Sequence, residues 1–275
     1  MQRRTRTNYN PDKVRPKKSL GQHFLHDQGV AQKIVDSFLL REGKNRVLEV
    51  GPGMGVLTQY LLRKEQIHLK VVEIDRDSVA YLRKNYPALA DDIIEGDFLS
   101  IDLSQVFGES FGIIGNFPYN ISSQIFFSVL QHRNNVDQIV CMLQKEVADR
   151  IAARHGNKTY GILSVLLQAF YDIDFLFKVS PGVFTPPPKV MSAVIRLRRN
   201  QRTHLACDEK MFFAVVKQGF NNRRKTLRNA LKNLNLAGDV SSLPLLDKRA
   251  EQLSVDDFIG LTRIIEDSRG AATSS

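Results

Sequence analysis

The chain predicts an α/β fold: a mostly parallel, doubly wound sheet with an antiparallel edge strand, followed by a small all-α C-terminal domain. Three observations carry that prediction. Short β-branched runs alternate with amphipathic helical stretches through the first half of the chain. A glycine-rich turn, GPGMG at 51–55, leaves the first of those runs directly. Two strand-like runs, 170–179 and 190–199, then follow one another with no helix between them, which argues for an antiparallel addition at the sheet edge.

The elements follow in order. Asp27 is placed to cap a helix over 28–40, with Val30, Ile34, Val35, Phe38 and Leu39 on its apolar face. RVLEV (46–50) reads as a strand, VLTQYLLRK (56–64) as a helix, and HLKVVEID (68–75) as a strand ending in acids. A helix around 77–85 and a short strand over DDIIEGD (91–97) come next. FGIIGN (111–116) is a fourth strand, and SSQIFFSVLQH (122–132) a helix opened by a serine cap. DQIVCML (137–143) is a fifth strand and QKEVADRIAAR (144–154) a helix. From about 208 the chain turns helical and basic, and 254–265 is again amphipathic. The polar segment around 200–207 marks a boundary. It divides the chain into a flexible basic arm (1–18), an α/β domain (19–203) and a basic helical domain (204–275).

Charge is unevenly distributed. The net charge is +10, yet residues 1–18 alone hold seven Lys/Arg and one acid, and residues 189–235 hold twelve against two. Two basic patches flank a near-neutral body, a pattern suited to gripping a polyanion from two sides of a pocket. Arg223, Arg224, Lys225 and Arg228 in one patch, with Lys17 and Lys18 in the other, are the candidate phosphate contacts. No apolar stretch is long enough for a membrane helix, and the N-terminus lacks the apolar core of a secretory signal. Cys141 and Cys207 lie far apart, which fits two free thiols in a reduced, cytoplasmic setting. HFLH (23–26) has no acid or cysteine cluster to complete it, so no metal is expected.

The chemistry gathers at strand ends. Gly51, Gly53 and Gly55 let the backbone pass close to a ligand at the carboxyl edge of the sheet. Glu73, at the end of the next strand, stands where an acid can take a ribose's two hydroxyls. Asp97 ends the third strand and could accept from an adenine amino group. No Lys or Arg lies in the glycine turn, and no phosphate-binding loop is present. An adenosine carried without phosphate fits best, which points to S-adenosylmethionine. The fourth strand runs into NFPY (116–119), a turn with two aromatics. It carries two acceptors, the Asn116 side-chain oxygen and the Phe117 carbonyl, a proline, Pro118, that sets the turn, and a ring face that Tyr119 can offer.

These segments, with SLGQHFLHD (19–27), LQKEVADRI (143–151), YGILSVLLQ (160–168), FTPPPKVMSAVIRL (184–197) and FNNRRKTLRNAL (220–231), resemble the ribosomal RNA adenine N6,N6-dimethyltransferases. The likeness runs from about Ser19 to Ile265 and is closest to the small-subunit type. It implies a Rossmann-like class I S-adenosylmethionine methyltransferase domain with a seven-stranded sheet. It also implies cofactor contacts from His23, Leu25, Gly51, Glu73 and Asp97, with Asn116 beside the transferred methyl. Many relatives carry Asn where this chain has His23. In the reading that the resemblance implies, the Asn116 oxygen and the Phe117 carbonyl accept from the adenine amine. Tyr119 offers a ring face to the extruded base, and Phe184, on the Pro-rich loop, is the candidate for its second face. The implied activity is dimethylation of two adjacent adenines near the 3′ end of small-subunit (16S) rRNA, within a partly assembled 30S particle, by a monomeric enzyme. Two rivals share the fold: a large-subunit dimethyltransferase of the macrolide-resistance type, and a non-catalytic RNA- or DNA-binding factor.

Overall fold

A computed structural model describes residues 14–43, 45–234, 236, 240 and 242–273. Most of the expected arm, residues 1–13, lies outside the described residues. Within residues 14–18, Val14 is buried and Lys17 is ion-paired with Asp75 and Asp77, while Arg15 and Lys18 are exposed.

Seven strands form the central sheet: β2 (Asn45–Val50), β3 (Ile67–Glu73), β4 (Ile93–Glu95), β5 (Phe111–Asn116), β6 (Val136–Gln144), β7 (Tyr171–Val179) and β9 (Ser192–Arg199). Their order is β4-β3-β2-β5-β6-β9-β7. Strands β2 to β6 are mutually parallel, while β9 runs antiparallel to both its neighbours, as the helix-free succession of β7 and β9 predicts. Successive residues along the buried strands join two different hydrophobic clusters. Leu48, Ile113, Ile139 and Cys141 belong to one, and Val47, Ile114, Val140 and Met142 to the other. Both faces of the sheet are therefore covered, which explains the uninterrupted apolar runs in these strands.

The helices are α1 (Gln28–Asp36), α2 (Thr58–Leu61), α3 (Arg76–Asn85), α4 (Ser122–Gln131), α5 (Lys145–Ala152) and α6 (Ile162–Gln168), then α7 (Glu209–Asn221), α8 (Leu227–Ala230) and α9 (Val255–Thr273). Asp27 caps α1 as predicted, its Oδ1 accepting from the Val30 amide at 2.9 Å. That helix stops four residues earlier than its periodicity suggests. The Leu39 backbone instead exchanges two 3.1 Å hydrogen bonds with the Gln138 side chain, a partner 99 residues away. Helix α2 is likewise shorter, because the glycine turn runs on to residue 57. Ser122 is not the cap of α4. Ile121 holds that position, and Ser122, inside the helix, donates to the Tyr119 carbonyl at 3.4 Å. Helix α6 has no amphipathic signature because all its central residues, Leu163 to Leu167, are buried.

The C-terminal helices share a core with the α/β part. Phe212, Val216, Phe220, Phe258 and Leu261 belong to the same cluster as Leu166, Phe126 and Ile139. A two-stranded ribbon, β1 (Phe24–Leu25) with β8 (Phe184–Thr185), ties the segment before α1 to the Pro-rich loop. No helix among the described residues is long and apolar enough to cross a membrane.

Candidate active site

The sheet's strand order reverses between β2 and β5, and the C-terminal ends of those strands diverge there into a cleft. Gly51 and Gly53 line one wall, Glu73 and Ile74 the next, Gly96 to Leu99 the third, and Asn116 to Ile121 the fourth; Leu20 to Phe24 lie across it. Among the described residues, no Lys or Arg lines this cleft.

Gly51 and Gly53 adopt left-handed backbone (φ +66° and +56°), which the turn needs in order to bend away from β2. Gly55 is also left-handed, but it lines no part of the cleft. A Cβ there would stand 2.5 Å from the Tyr86 ring, so packing also requires glycine at this position.

Glu73 supports the turn. Its Oε2 accepts from the Gly53 amide at 3.0 Å and its Oε1 from the Asp75 amide at 2.9 Å. Burial pushes the Glu73 carboxyl up, and those amides pull against the shift. Each oxygen keeps a second lone pair for a ligand hydroxyl. Asp97 uses Oδ1 to cap a short 3-10 turn, accepting from the Leu99 amide at 2.9 Å. Asp75, although buried, is held below the usual carboxylate range. Burial raises it, but hydrogen bonds from Lys17, Gln22 and the Asp77 amide together outweigh that effect.

The NFPY turn is fixed from several directions. Asn116 Nδ2 donates to the His23 carbonyl at 3.0 Å. A carbonyl can only accept, so this contact fixes which way round the carboxamide sits; Oδ1 has no partner among the described residues. The Phe117 ring is buried and its amide donates to the Met142 carbonyl at 2.9 Å. Tyr119 shares a 2.5 Å hydrogen bond with Ser192 Oγ, and its ring stacks on His23 with centroids 5.4 Å apart. Burial raises the Tyr119 phenol, the Ser192 bond opposing it.

Several expected site residues sit elsewhere. Phe184 is 3% exposed and packs in the core beside Leu25, so its ring has no free face for a base. Leu25, 4% exposed, lines a smaller adjoining pocket with Glu49, Pro52 and Met54 rather than the main cleft. Lys17 is engaged in ion pairs with Asp75 and Asp77. Arg223 donates to the Lys158 and Tyr160 carbonyls, and Arg228 pairs with Asp247. Arg224 and Lys225 are exposed on the turn between α7 and α8, with no side-chain partner among the described residues.

Glu49 is the buried group that motif reasoning undervalued. It is 1% exposed, its Oε2 accepts from the Thr58 hydroxyl at 2.6 Å, and its Oε1 has no partner among the described residues. Burial pushes this carboxyl up to about 8, with the nearby Glu73 adding to the rise and Thr58 opposing it. The sequence places it beside the glycine turn, but only its burial makes it unusual. Both cysteines are free thiols, and burial raises each. No group of three or more metal-ligating side chains occurs among the described residues.

The model of the family described as ribosomal RNA adenine dimethylase matches residues 13–267. The chain belongs to that family. The dimethylase is 61% identical over 254 residues to a protein of Cytophaga hutchinsonii named ribosomal RNA small subunit methyltransferase A, covering 92% of this chain and 98% of the other. A protein of the same name from Bacteroides thetaiotaomicron is 56% identical, covering 95% and 98%. Among solved structures, a dimethyladenosine transferase from Plasmodium falciparum superposes on the dimethylase with a TM-score of 0.73 at 26% identity, over 87% of this chain and 96% of that one. The 23S rRNA methyltransferase ErmE shares the fold, with a TM-score of 0.64 at 23% identity over 87% and 99%. The α/β architecture is thus that of a Rossmann-like methyltransferase, and the dimethylase is an enzyme of that class.

Proposed function

We propose that this dimethylase uses S-adenosylmethionine to dimethylate N6 of two adjacent adenines near the 3′ end of small-subunit rRNA. It would act as a monomer in the cytoplasm, on a partly assembled small-subunit particle. The observation that carries the chemistry is Asn116, a residue of the cleft lining whose Nδ2 is engaged by the His23 carbonyl while Oδ1 has no partner among the described residues. The choice of small-subunit RNA rests on the names of relatives sharing 54–61% identity.

The residues fit such a cofactor. Among the described residues the cleft lining holds no Lys or Arg for a phosphate, and it offers glycine backbone, the Glu73 carboxylate and Asp97 in succession. In this reading Gly51 and Gly53 approach the methionine part, Glu73 takes the ribose hydroxyls, and Asp97 accepts from the adenine amine. The strap containing His23 closes over them. When bound, S-adenosylmethionine supplies a methyl group already activated by its sulfonium, so the protein need not generate an electrophile. Its task is the nucleophile, because the adenine N6 lone pair is delocalised into the ring. Asn116 Oδ1 and the Phe117 carbonyl accept the amine's two hydrogens and favour a pyramidal nitrogen whose lone pair faces the methyl. An amide is too weak a base to keep a proton, so the proton released after transfer passes to water. Tyr119 holds the extruded base by its ring.

The basic segment 204–275 serves as the RNA-gripping part through Arg224 and Lys225, with Lys18 of the N-terminal arm a further cation open to phosphate. Labelled S-adenosylmethionine offered in parallel to unmethylated small subunits, large subunits and naked rRNA, followed by mapping of the modified base, tests the proposal. Label confined to adjacent adenines of the small-subunit RNA supports it, and label on the large subunit refutes the substrate. Thermal stabilisation by the cofactor separates an enzyme from a pure RNA binder.

A further inference from the structure

We propose that His23 is the positioning residue of the methyl-acceptor site, setting Asn116 through its backbone and Tyr119 through its ring. The inference rests on the adenine-methylating reading above but concerns a residue whose side chain that chemistry does not use.

Three contacts meet at His23. Its carbonyl accepts from Asn116 Nδ2 at 3.0 Å, which leaves the Asn116 oxygen as the acceptor for the substrate. Its ring stacks on Tyr119 with centroids 5.4 Å apart and planes 29° from parallel. Its Nδ1 lies 2.8 Å from the Pro186 carbonyl, so Nδ1 carries the hydrogen and the ring is tethered to the Pro-rich loop. Tyr119 is thereby held at two points, by the His23 ring on one face and by Ser192 at its hydroxyl. With Phe184 buried, the platform proposed for the base is the remaining face of Tyr119, a residue of the cleft lining. A stacking platform contributes through rigidity: a ring already locked loses no further rotamer freedom when the base arrives. The residue type matters at this position because an Asn side chain could reach the Pro186 carbonyl but has no ring to back Tyr119.

The test compares the full-length protein with His23→Ala, His23→Asn and His23→Phe, using unmethylated small subunits and labelled S-adenosylmethionine. The affinity for S-adenosylhomocysteine is measured by calorimetry, and thermal unfolding of each variant confirms folding. Backbone contacts survive in all three variants, so S-adenosylhomocysteine affinity stays within about twofold while kcat falls about tenfold in His23→Ala and His23→Asn. His23→Phe keeps the stack and restores kcat to within about threefold of the parent. A His23→Ala enzyme with unchanged kcat overturns the inference. So does an equal loss of S-adenosylhomocysteine affinity, which would make the ring a cofactor contact, or a His23→Phe variant as impaired as His23→Ala. A parent protein that methylates only large-subunit rRNA would refute the substrate reading alone, and the variants would then be ranked on that RNA.

Discussion

Asn116 Nδ2 and the His23 carbonyl, 93 residues apart in sequence, meet at 3.0 Å and orient the Asn116 carboxamide. Replacing Asn116 by Ala removes the acceptor, and replacing it by Asp puts a carboxylate oxygen against that carbonyl. Both variants are expected to lose about 100-fold or more in single-turnover methyl transfer, by analogy with loss of one preorganised polar group in an active site. RNA affinity should persist in both. Near-normal transfer by Asn116→Ala would remove Asn116 from the chemistry.

Cations in the two basic patches should separate by salt dependence. Arg224 and Lys225 are exposed and unpaired among the described residues, so changing both to Ala should lower the log–log salt slope of RNA affinity by about 1–2. Lys17 is held by Asp75 and Asp77. Lys17→Met should leave the slope unchanged and cost about 1–2 kcal/mol of stability, because it deprives the buried Asp75 of a partner. Filter binding across a salt series and urea melts distinguish the two behaviours.

Two glycines of one turn should fail in different ways. Gly55→Ala meets both a left-handed backbone (φ +80°) and the Tyr86 ring at 2.5 Å, and is expected to cost about 2 kcal/mol or more in chemical denaturation. At Gly51 a Cβ would meet nothing closer than 4.0 Å, the Asn116 carbonyl. Gly51→Ala should therefore cost about 1 kcal/mol in stability and lose cofactor affinity by a larger factor, as read by calorimetry with S-adenosylhomocysteine.

Glu49 makes the ligand-free protein sensitive to alkali. Its folded-state carboxyl sits at about 8 against an ordinary 4.5, so between those values the folded chain retains a proton that the unfolded chain has released. Stability contributed by that proton is present below about pH 4.5 and declines as pH rises toward 8, on the order of a few kcal/mol in all. Urea midpoints at pH 5.5 and 8.5 should show Glu49→Gln gaining on the parent as pH rises. A constant difference between the two proteins would place the charge elsewhere.

Much of the fold is legible in local pattern. Each parallel strand is a short apolar run, and the Asp27 cap and the left-handed glycines are properties of a few consecutive residues. The order of glycine turn, Glu73, Asp97 and NFPY also places four walls of the cleft, because strand ends of a doubly wound sheet share one edge. Helix α6 and the early end of α1 were not legible. The first is buried all round and shows no period, and the second depends on a Gln138 side chain that no local window contains.

Side-chain assignments divide on the same line. Phe184 and Tyr119 are both aromatics in proline-bearing loops, and nothing local separates them. Pairing of β1 with β8 sinks the first into the core, while His23 and Ser192 hold the second at the cleft. Lys17 and Lys225 are equally basic in sequence, yet folding brings Asp75 and Asp77 to one and leaves the other exposed. The sequence by itself determined the sheet, its glycine turn and the acids at its edge, because backbone preference and hydrophobic period act over a few residues. Which rings and charges remain free for a ligand was decided only in the tertiary structure, since their partners lie up to 163 residues away and compete for the same surface.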